Sequence, residues 1–264
     1  MRPVRSTVME TFVVRLWLPD RPGALGAVAS RIGAVRGDVV GIDILERGGG
    51  RVIDELVVDL PDAELVSMLV TEITQVDGVD VEDVRPSTEH VLDARLDALE
   101  TAEVLVKAAS VEEVRESLVA HAARDFEAQW CVLLGFDAAE PSVSIGVPPA
   151  AAWLRAFVAG SRYSVEVLPS DDRGSQGPSG PPSGDPSPSG PPSGENGPDD
   201  VAWAPLPTAD RALVLGRKGR PLRTRERRQL AALARIADHR WRQIEVVRYP
   251  TQPRERSTAR RQPA

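Results

Sequence analysis

Between Phe12 and Val35 the chain changes its hydrophobic period once, and that change constrains most of what can follow. Phe12, Val14, Leu16 and Leu18 alternate with period two, the pattern of a half-buried strand. Leu25, Val28, Ala29, Ile32 and Val35 recur at spacings of three and four, the pattern of an amphipathic helix. Pro19, Pro22 and Gly23 punctuate the join, the stretch L-P-D-R-P-G-A-L-G from Leu18 to Gly26. The first N–H groups of a helix that starts there lack intrahelical partners. The helix dipole also favours negative charge at that end, so the loop suits a small carboxylate held by backbone alone. The same residues fit a plain helix-start turn, with Asp20 as the capping residue and Pro22-Gly23 as turn chemistry.

The pattern continues regularly. Asp38–Glu46 and Val52–Leu60 are two apolar-rich runs either side of the turn Arg47-Gly48-Gly49-Gly50-Arg51, which predicts a β-hairpin. Pro61-Asp62 opens a second helix, with Asp62 as its N-cap and Leu65, Met68, Leu69, Ile73 and Val76 at helical spacing. Asp77-Gly78 ends it and Val79–Val84 supplies a last strand. The order β-α-β-β-α-β over 11–86 is the split βαβ, or ferredoxin-like, arrangement. Two helices would cover one sheet face; the other, carrying Val13, Arg15 and Trp17, needs water or a partner. Alternation puts Glu55 and Asp59 on one face and Asp54 on the other, which reads as solvated carboxylates and not as an acid–base pair.

Beyond Pro86 the pattern predicts a second domain over 88–247. Helices are expected from Thr88 to Ala108 and from Val111 to Ala122, the latter opened by a Ser110/Glu113 capping box. Strands are expected at Ala128–Phe136, Ser142–Val147, Tyr163–Leu168, Ala202–Leu206 and Ala212–Leu215. Helices are expected at Ala150–Ala159 and from Arg223 to Ile244. Residues 170–200, with P-S-G-P-P-S-G repeated, lack the apolar side chains that offset ordering entropy and read as a disordered insert. Residues 250–264 read as a disordered tail. Alone, 201–247 would be too small a core to fold, so the insert is expected to be a loop within one domain.

Composition narrows the function classes. No run of about 18 apolar residues exists, so no membrane span is expected; no apolar segment follows the arginines of the first ten residues, so no secretory signal is expected. A cytoplasmic protein is the consistent expectation. Cys131 is the only cysteine, which excludes an intrachain disulfide and a multi-cysteine metal site. Its neighbours Trp130, Val132 and Leu133 mark it as a core thiol. His90, His121 and His239 form no metal-ligand spacing, so no metal and no cofactor are expected.

Of 32 basic residues only Lys107 and Lys218 are lysines, a bias that weakens any arginine run as a sign of an anionic partner. The strongest run is Arg217, Lys218, Arg220, Arg223, Arg225, Arg227 and Arg228. Residues 201–264 hold sixteen basic and five acidic side chains, so the rest carries −18 of the net −7. No helix-turn-helix or zinc spacing and no interleaved aromatics accompany the run, which disfavours nucleic acid. Balance against the acidic first part, within the chain or across a dimer, is the expected role.

The β-α-β-β-α-β order with D-R-P-G-A-L-G after the first strand resembles the ACT domain, a small regulatory module that binds amino acids. Asp20, Arg21, Pro22, Gly23 and Leu25 match its D-R-P-G-x-L signature over a resemblance covering 11–86. The resemblance implies an α+β fold and an amino-acid site at Asp20, Arg21, Pro22, Gly23, Ala24 and Leu25. Gly23 would let backbone approach the ligand, and Asp20 would accept from its ammonium. A neighbouring copy's second strand would complete the site, at Gly41, Ile42 and Asp43, in a homodimer. The second part is similar, more weakly, to a GAF domain, on Q-W-C-V-L-L-G-F, S-V-S-I-G-V and A-L-V-L-G-R-K-G-R-P-L followed by Thr224–Trp241. These features imply a non-enzymatic sensor of a small amino acid, with no catalytic residue. Two alternatives stay open, a ligand-free dimerisation module using Val13, Trp17 and the leading helix, and the regulatory part of an amino-acid or one-carbon enzyme.

Overall fold

The computed structural model describes residues 9–87, 94–136, 141–166 and 200–248. The first domain runs β1 (Glu10–Pro19), α1 (Ala24–Ala34), β2 (Asp38–Gly48), β3 (Arg51–Leu60), α2 (Val66–Ile73, preceded by a 3-10 turn at Ala63–Leu65) and β4 (Asp80–Pro86). Its four antiparallel strands lie in the order β2-β3-β1-β4. Chain order and strand order together are those of the ferredoxin-like arrangement. Asp62 caps the turn before α2 by accepting from Glu64 N–H at 2.9 Å.

Alternation decides the first core. Phe12, Val14, Leu16 and Leu18 of β1 and Leu56, Val58 and Leu60 of β3 pack against Val28 and Ile32 of α1 and Leu69 and Ile73 of α2. A fully buried leucine or isoleucine contributes about 1.5–3 kcal/mol, so this layer fixes the register of the sheet.

The second domain runs α3 (Ala94–Lys107), α4 (Val111–Asp125), β5 (Trp130–Gly135), β6 (Val143–Gly146), α5 (Ala151–Glu166), β7 (Val201–Leu206), β8 (Arg211–Gly216) and α6 (Thr224–Arg248). Its antiparallel sheet has the order β6-β5-β8-β7. Cys131, Leu133, Leu213 and Leu215 face α3, α4 and α6, and the alternate residues Val132, Leu134, Ala212 and Val214 face α5. Ser110 accepts from Glu113 N–H at 3.1 Å, as in a capping box, and the Glu113 carboxylate accepts from Ala109 N–H at 2.7 Å, one residue before the N-cap.

Two expectations for this domain change. The first four residues of the strand expected at Tyr163–Leu168 are instead the end of α5, which runs unbroken to Glu166; the last two lie outside the described residues. A six-residue run with one aromatic and two valines is too short to tell strand from helix, and the preceding helix propagates into its first four residues. Strands from before 167 and after 199 share one sheet, since β7 joins through β8 to β5. The expected disordered insert at 170–199 and tail at 250–264 lie outside the described residues, as does the first part of the Thr88–Ala108 helix.

The open face of the first sheet is where the structure departs most from the sequence. Val13 and Arg15 are buried and Trp17 is half-buried, because the start of α6 and the segment before it lie across them. Val13 and Trp17 are therefore used within the chain and do not form an exposed dimer surface.

Candidate functional site

The candidate loop is built by the end of β1 and the start of α1. Asp20 N–H donates to Gly50 O at 2.9 Å, which ties the loop to the β2–β3 hairpin. Arg21 N–H donates to Pro19 O at 2.8 Å, closing a tight turn. Gly23 is the N-cap residue, with φ +88° in the left-handed region that glycine adopts without strain. A Cβ placed on Gly23 would meet nothing within 4 Å, so the space beside the helix start is open.

No side chain caps α1, so Asp20 does not serve as the helix cap. The first intrahelical bond runs from Ala27 N–H to Gly23 O at 2.9 Å. Among the described residues Leu25 and Gly26 N–H donate to no backbone or side-chain acceptor outside the helix. Asp20, Arg21, Pro22 and Gly23 are exposed, Leu25 is half-buried and Ala24 is buried in the core beneath them. Arg21 leans on Asp77 at 3.7 Å, a solvent-screened pair.

The second-strand candidates lie elsewhere in the same chain. Gly41 pairs with Val57 and Asp43 with Glu55, in the middle of the sheet. The loop sits beside Gly50, five residues along β3 from Glu55, about 17 Å at 3.4 Å per residue. Asp43 is ion-paired with Arg225 of α6 at 2.5 Å. Ile42, flanked by Val40 and Ile44, is exposed on the edge strand β2. One chain therefore gathers Asp20–Leu25 into one place and leaves Gly41, Ile42 and Asp43 in another.

Asp54 is a buried carboxylate within the first sheet, where the sequence pattern expects a solvated one. It lies on the helix-bearing face of β3, opposite Leu16 of β1 and Ile44 of β2. It is 5% exposed, not solvated as alternation implied, and its Oδ1 has no hydrogen-bond partner. Burial pushes its carboxyl above the usual aspartate range; Arg47 opposes the shift and the Asp20 carboxylate adds to it. The signal present in the sequence was a charged residue at the in-facing position of an otherwise apolar alternation.

Several members of the arginine run pair with carboxylates of this chain. Arg15, fully buried, donates to Glu55 at 3.0 Å and to Pro221 O at 2.9 Å, and lies 3.5 Å from Glu226. Arg217 meets the same Glu226 oxygen at 2.5 Å, and Arg85 bridges Glu55 at 2.9 Å and Glu127 at 3.0 Å. Arg220 meets Glu127 at 2.8 Å, and Arg223 pairs with Glu82 and lies over the Trp17 ring. Burial alone would raise the Glu55 carboxyl, but Arg15 and Arg85 hold it below the usual range. Arg85, Arg220 and, through side-chain hydrogen bonding, Arg85 again do the same for Glu127 against its own burial. Arg217, Arg220, Arg223 and Arg225 thus balance carboxylates within the chain.

Cys131 is buried and its thiol is pushed up to about 12 by that burial, which removes it as a nucleophile. Thr101 donates to Asp125 at 2.7 Å and lies 3.1 Å from His121 Nδ1, but its hydroxyl is fully buried between α3 and α4. Among the described residues no group of three side chains is placed to hold a metal ion. No described helix is long and apolar enough to cross a membrane.

No protein-family model matches the chain, and no curated protein matches it. Among solved structures, the chain is similar to the ACT domain from the GTP pyrophosphokinase of Chlorobium tepidum, with 15% identity and a TM-score of 0.25 over 30% of this chain and 100% of that one. It is also similar to a protein of Galdieria sulphuraria described as unknown, with 12% identity and a TM-score of 0.28 over 60% of this chain and 94% of that one. The strand order and connectivity given above, not these likenesses, define a mixed α+β protein with two four-stranded antiparallel sheets.

Proposed function

We propose that the chain is a non-enzymatic regulatory protein whose ACT-like first domain binds a small amino acid at Asp20–Leu25. The observation that carries this reading is the uncapped start of α1. Gly23 opens space there, Leu25 and Gly26 present unpaired N–H groups, and the dipole adds its positive end. Asp20 stands at the rim to accept from an ammonium. In this reading the edge strand β2 of a second copy closes the site, with Ile42 against the ligand. The second domain is GAF-like in its helix-covered antiparallel sheet and receives the signal. Its contact with the first sheet, through α6, is the route by which a ligand that favours one arrangement would bias it.

Thermal denaturation of the full chain against each of the twenty amino acids at millimolar concentration tests this. Stabilisation by one or a few small amino acids, lost in Gly23→Trp, is the expected result; stabilisation by none contradicts it.

A ligand-free dimerisation module is the second reading, favoured by Val40, Ile42 and Ile44 exposed along an unpaired strand edge. Light scattering separates the two: a dimer indifferent to every amino acid supports the module, and a monomer opposes it.

A further inference from the structure

The arginines around α6 fall into two sets. Arg217, Arg220, Arg223 and Arg225 meet carboxylates of this chain. Arg228, Arg235 and Arg242 do not: all three are exposed, and among the described residues none has an ion pair. They recur every seven residues, so they form one row along the outside of the helix. Helix α3, beside it, has two faces that call for cover. Thr101, Leu105 and Ala108 are buried where α3 rests on α4 and α6. Leu96, Leu99, Glu103 and Val106 follow at spacings of three and four on the opposite side, with Leu99 68% and Val106 57% exposed. A helix with apolar side chains on both faces is ordinarily covered on both.

The two helices run in the same direction. Ala108 O, just past the end of α3, accepts from Arg240 at 2.7 Å. Thr101, in the middle of α3, donates to Asp125 at the end of α4, and the next residue, Phe126, accepts through its carbonyl from Arg217, ahead of α6. With Ala108 level with Arg240 and an equal rise per residue in both helices, Glu103 stands level with Arg235, and Glu100 between the levels of Arg228 and Arg235. Within one chain Glu103 pairs with Lys107 of its own helix and not with Arg235.

We propose that this face is a contact between two copies of the chain, related by a two-fold axis along the helices. Helix α3 of one copy lies against α6 of the other, with Leu99 and Val106 covered between them and Glu103 opposite Arg235 of the second copy. Such an axis preserves level along the helices and repeats every contact twice. The surface is complementary to itself on those terms, acidic and apolar on one helix and basic at the same levels on its neighbour. An acidic partner of another kind would answer the arginines and leave the α3 row bare. The contact lies wholly in the second domain, apart from the β2 edge, and requires no amino acid.

Sedimentation equilibrium of the full chain over a concentration series tests it, with wild type, Glu103→Arg, Arg235→Glu and the double variant compared. Both positions are exposed, so the variants should keep the wild-type circular dichroism. The expected result is a wild-type dimer, weakened about tenfold or more by each single reversal and largely restored in the double variant. A wild-type monomer overturns the proposal, as do single reversals that leave the dimer unchanged. Weakening by both without recovery in the double variant overturns the pairing of Glu103 with Arg235. Dissociation by Ile42→Asp while both reversals are silent places the contact at the β2 edge and overturns it too. Should a reversal disturb the fold, Leu99→Ser takes its place: dissociation is expected, and an intact dimer contradicts the proposal.

Discussion

The guanidinium of Arg15, in the middle of β1, lies 3.5 Å from the carboxylate of Glu226 in the first turn of α6, across 211 residues of chain. Glu55 at 3.0 Å and Pro221 O at 2.9 Å complete its shell, and no part of it reaches solvent. The face of the first sheet that its alternation leaves bare is thus closed by the second domain. Burial works against the charge, yet Glu55 and Glu226 hold the guanidinium above its ordinary range.

Replacing Arg15 by alanine leaves Glu55 and Glu226 each short of a cation in a buried setting, which costs about 3–5 kcal/mol for a broken buried pair. Chemical denaturation of Arg15→Ala against wild type measures this. A loss below about 1 kcal/mol, as for a surface pair, would mean that the domains are not held by this contact.

Acid should separate the domains before it unfolds them. Glu55 and Glu127 have folded-state pKa values below their ordinary ones, so their contribution is complete above the ordinary glutamate range. It is lost as pH falls through the depressed values. The groups facing them are Arg15, Arg85 and Arg220. Glu127→Gln should flatten the acid limb of the melting-temperature profile, and an unchanged limb would contradict the assignment.

Asp54 carries the opposite sign. Its folded-state value lies above its ordinary one, so the unliganded protein is penalised at neutral pH and relieved as pH falls through the raised value. Asp54→Asn removes that penalty in the presence of Arg47 and Asp20, the charges that face it. Asp54→Asn should be more stable than wild type at neutral pH by about 1 kcal/mol, the order expected when a buried group without a hydrogen bond loses its charge. A destabilised variant would indicate a structural role.

The β5 strand depends on a glycine opposite an indole. A Cβ on Gly216 would lie 2.3 Å from the Trp130 ring, and its neighbours Val214 and Leu215 are buried in the two cores. Gly216→Ala should destabilise by about 1–3 kcal/mol through overpacking, read as a drop in denaturation midpoint. Cys131 offers an independent probe, since its thiol, pushed up to about 12, should react with a disulfide reagent only in denaturant.

How far this was legible in the sequence differs from element to element. Period two over Phe12–Leu18 and periods three and four over Leu25–Val35 gave the first domain its element order, and the Pro-Gly punctuation located the loop. These are local signals, set by the residues that form each element. The role of Arg15 was not legible, because its partners Pro221 and Glu226 are distant in the chain. An arginine between Val13 and Trp17 looks the same on a wet face as on a buried one. Asp54 was misjudged for a related reason: alternation assigned its face correctly, but whether a helix covers that point depends on packing. The arginine run was legible as balance for an acidic first part, though not as a set of pairs with Asp43, Glu82 and Glu127.

The most direct measurement of the central claim is a backbone amide NMR titration of the full chain with the amino acid that stabilises it most. The account expects the largest shifts at Gly23, Leu25 and Gly26, a smaller response at Asp20, and little change in β5 or β8. Shifts confined to the second domain, or none at millimolar ligand, would contradict it.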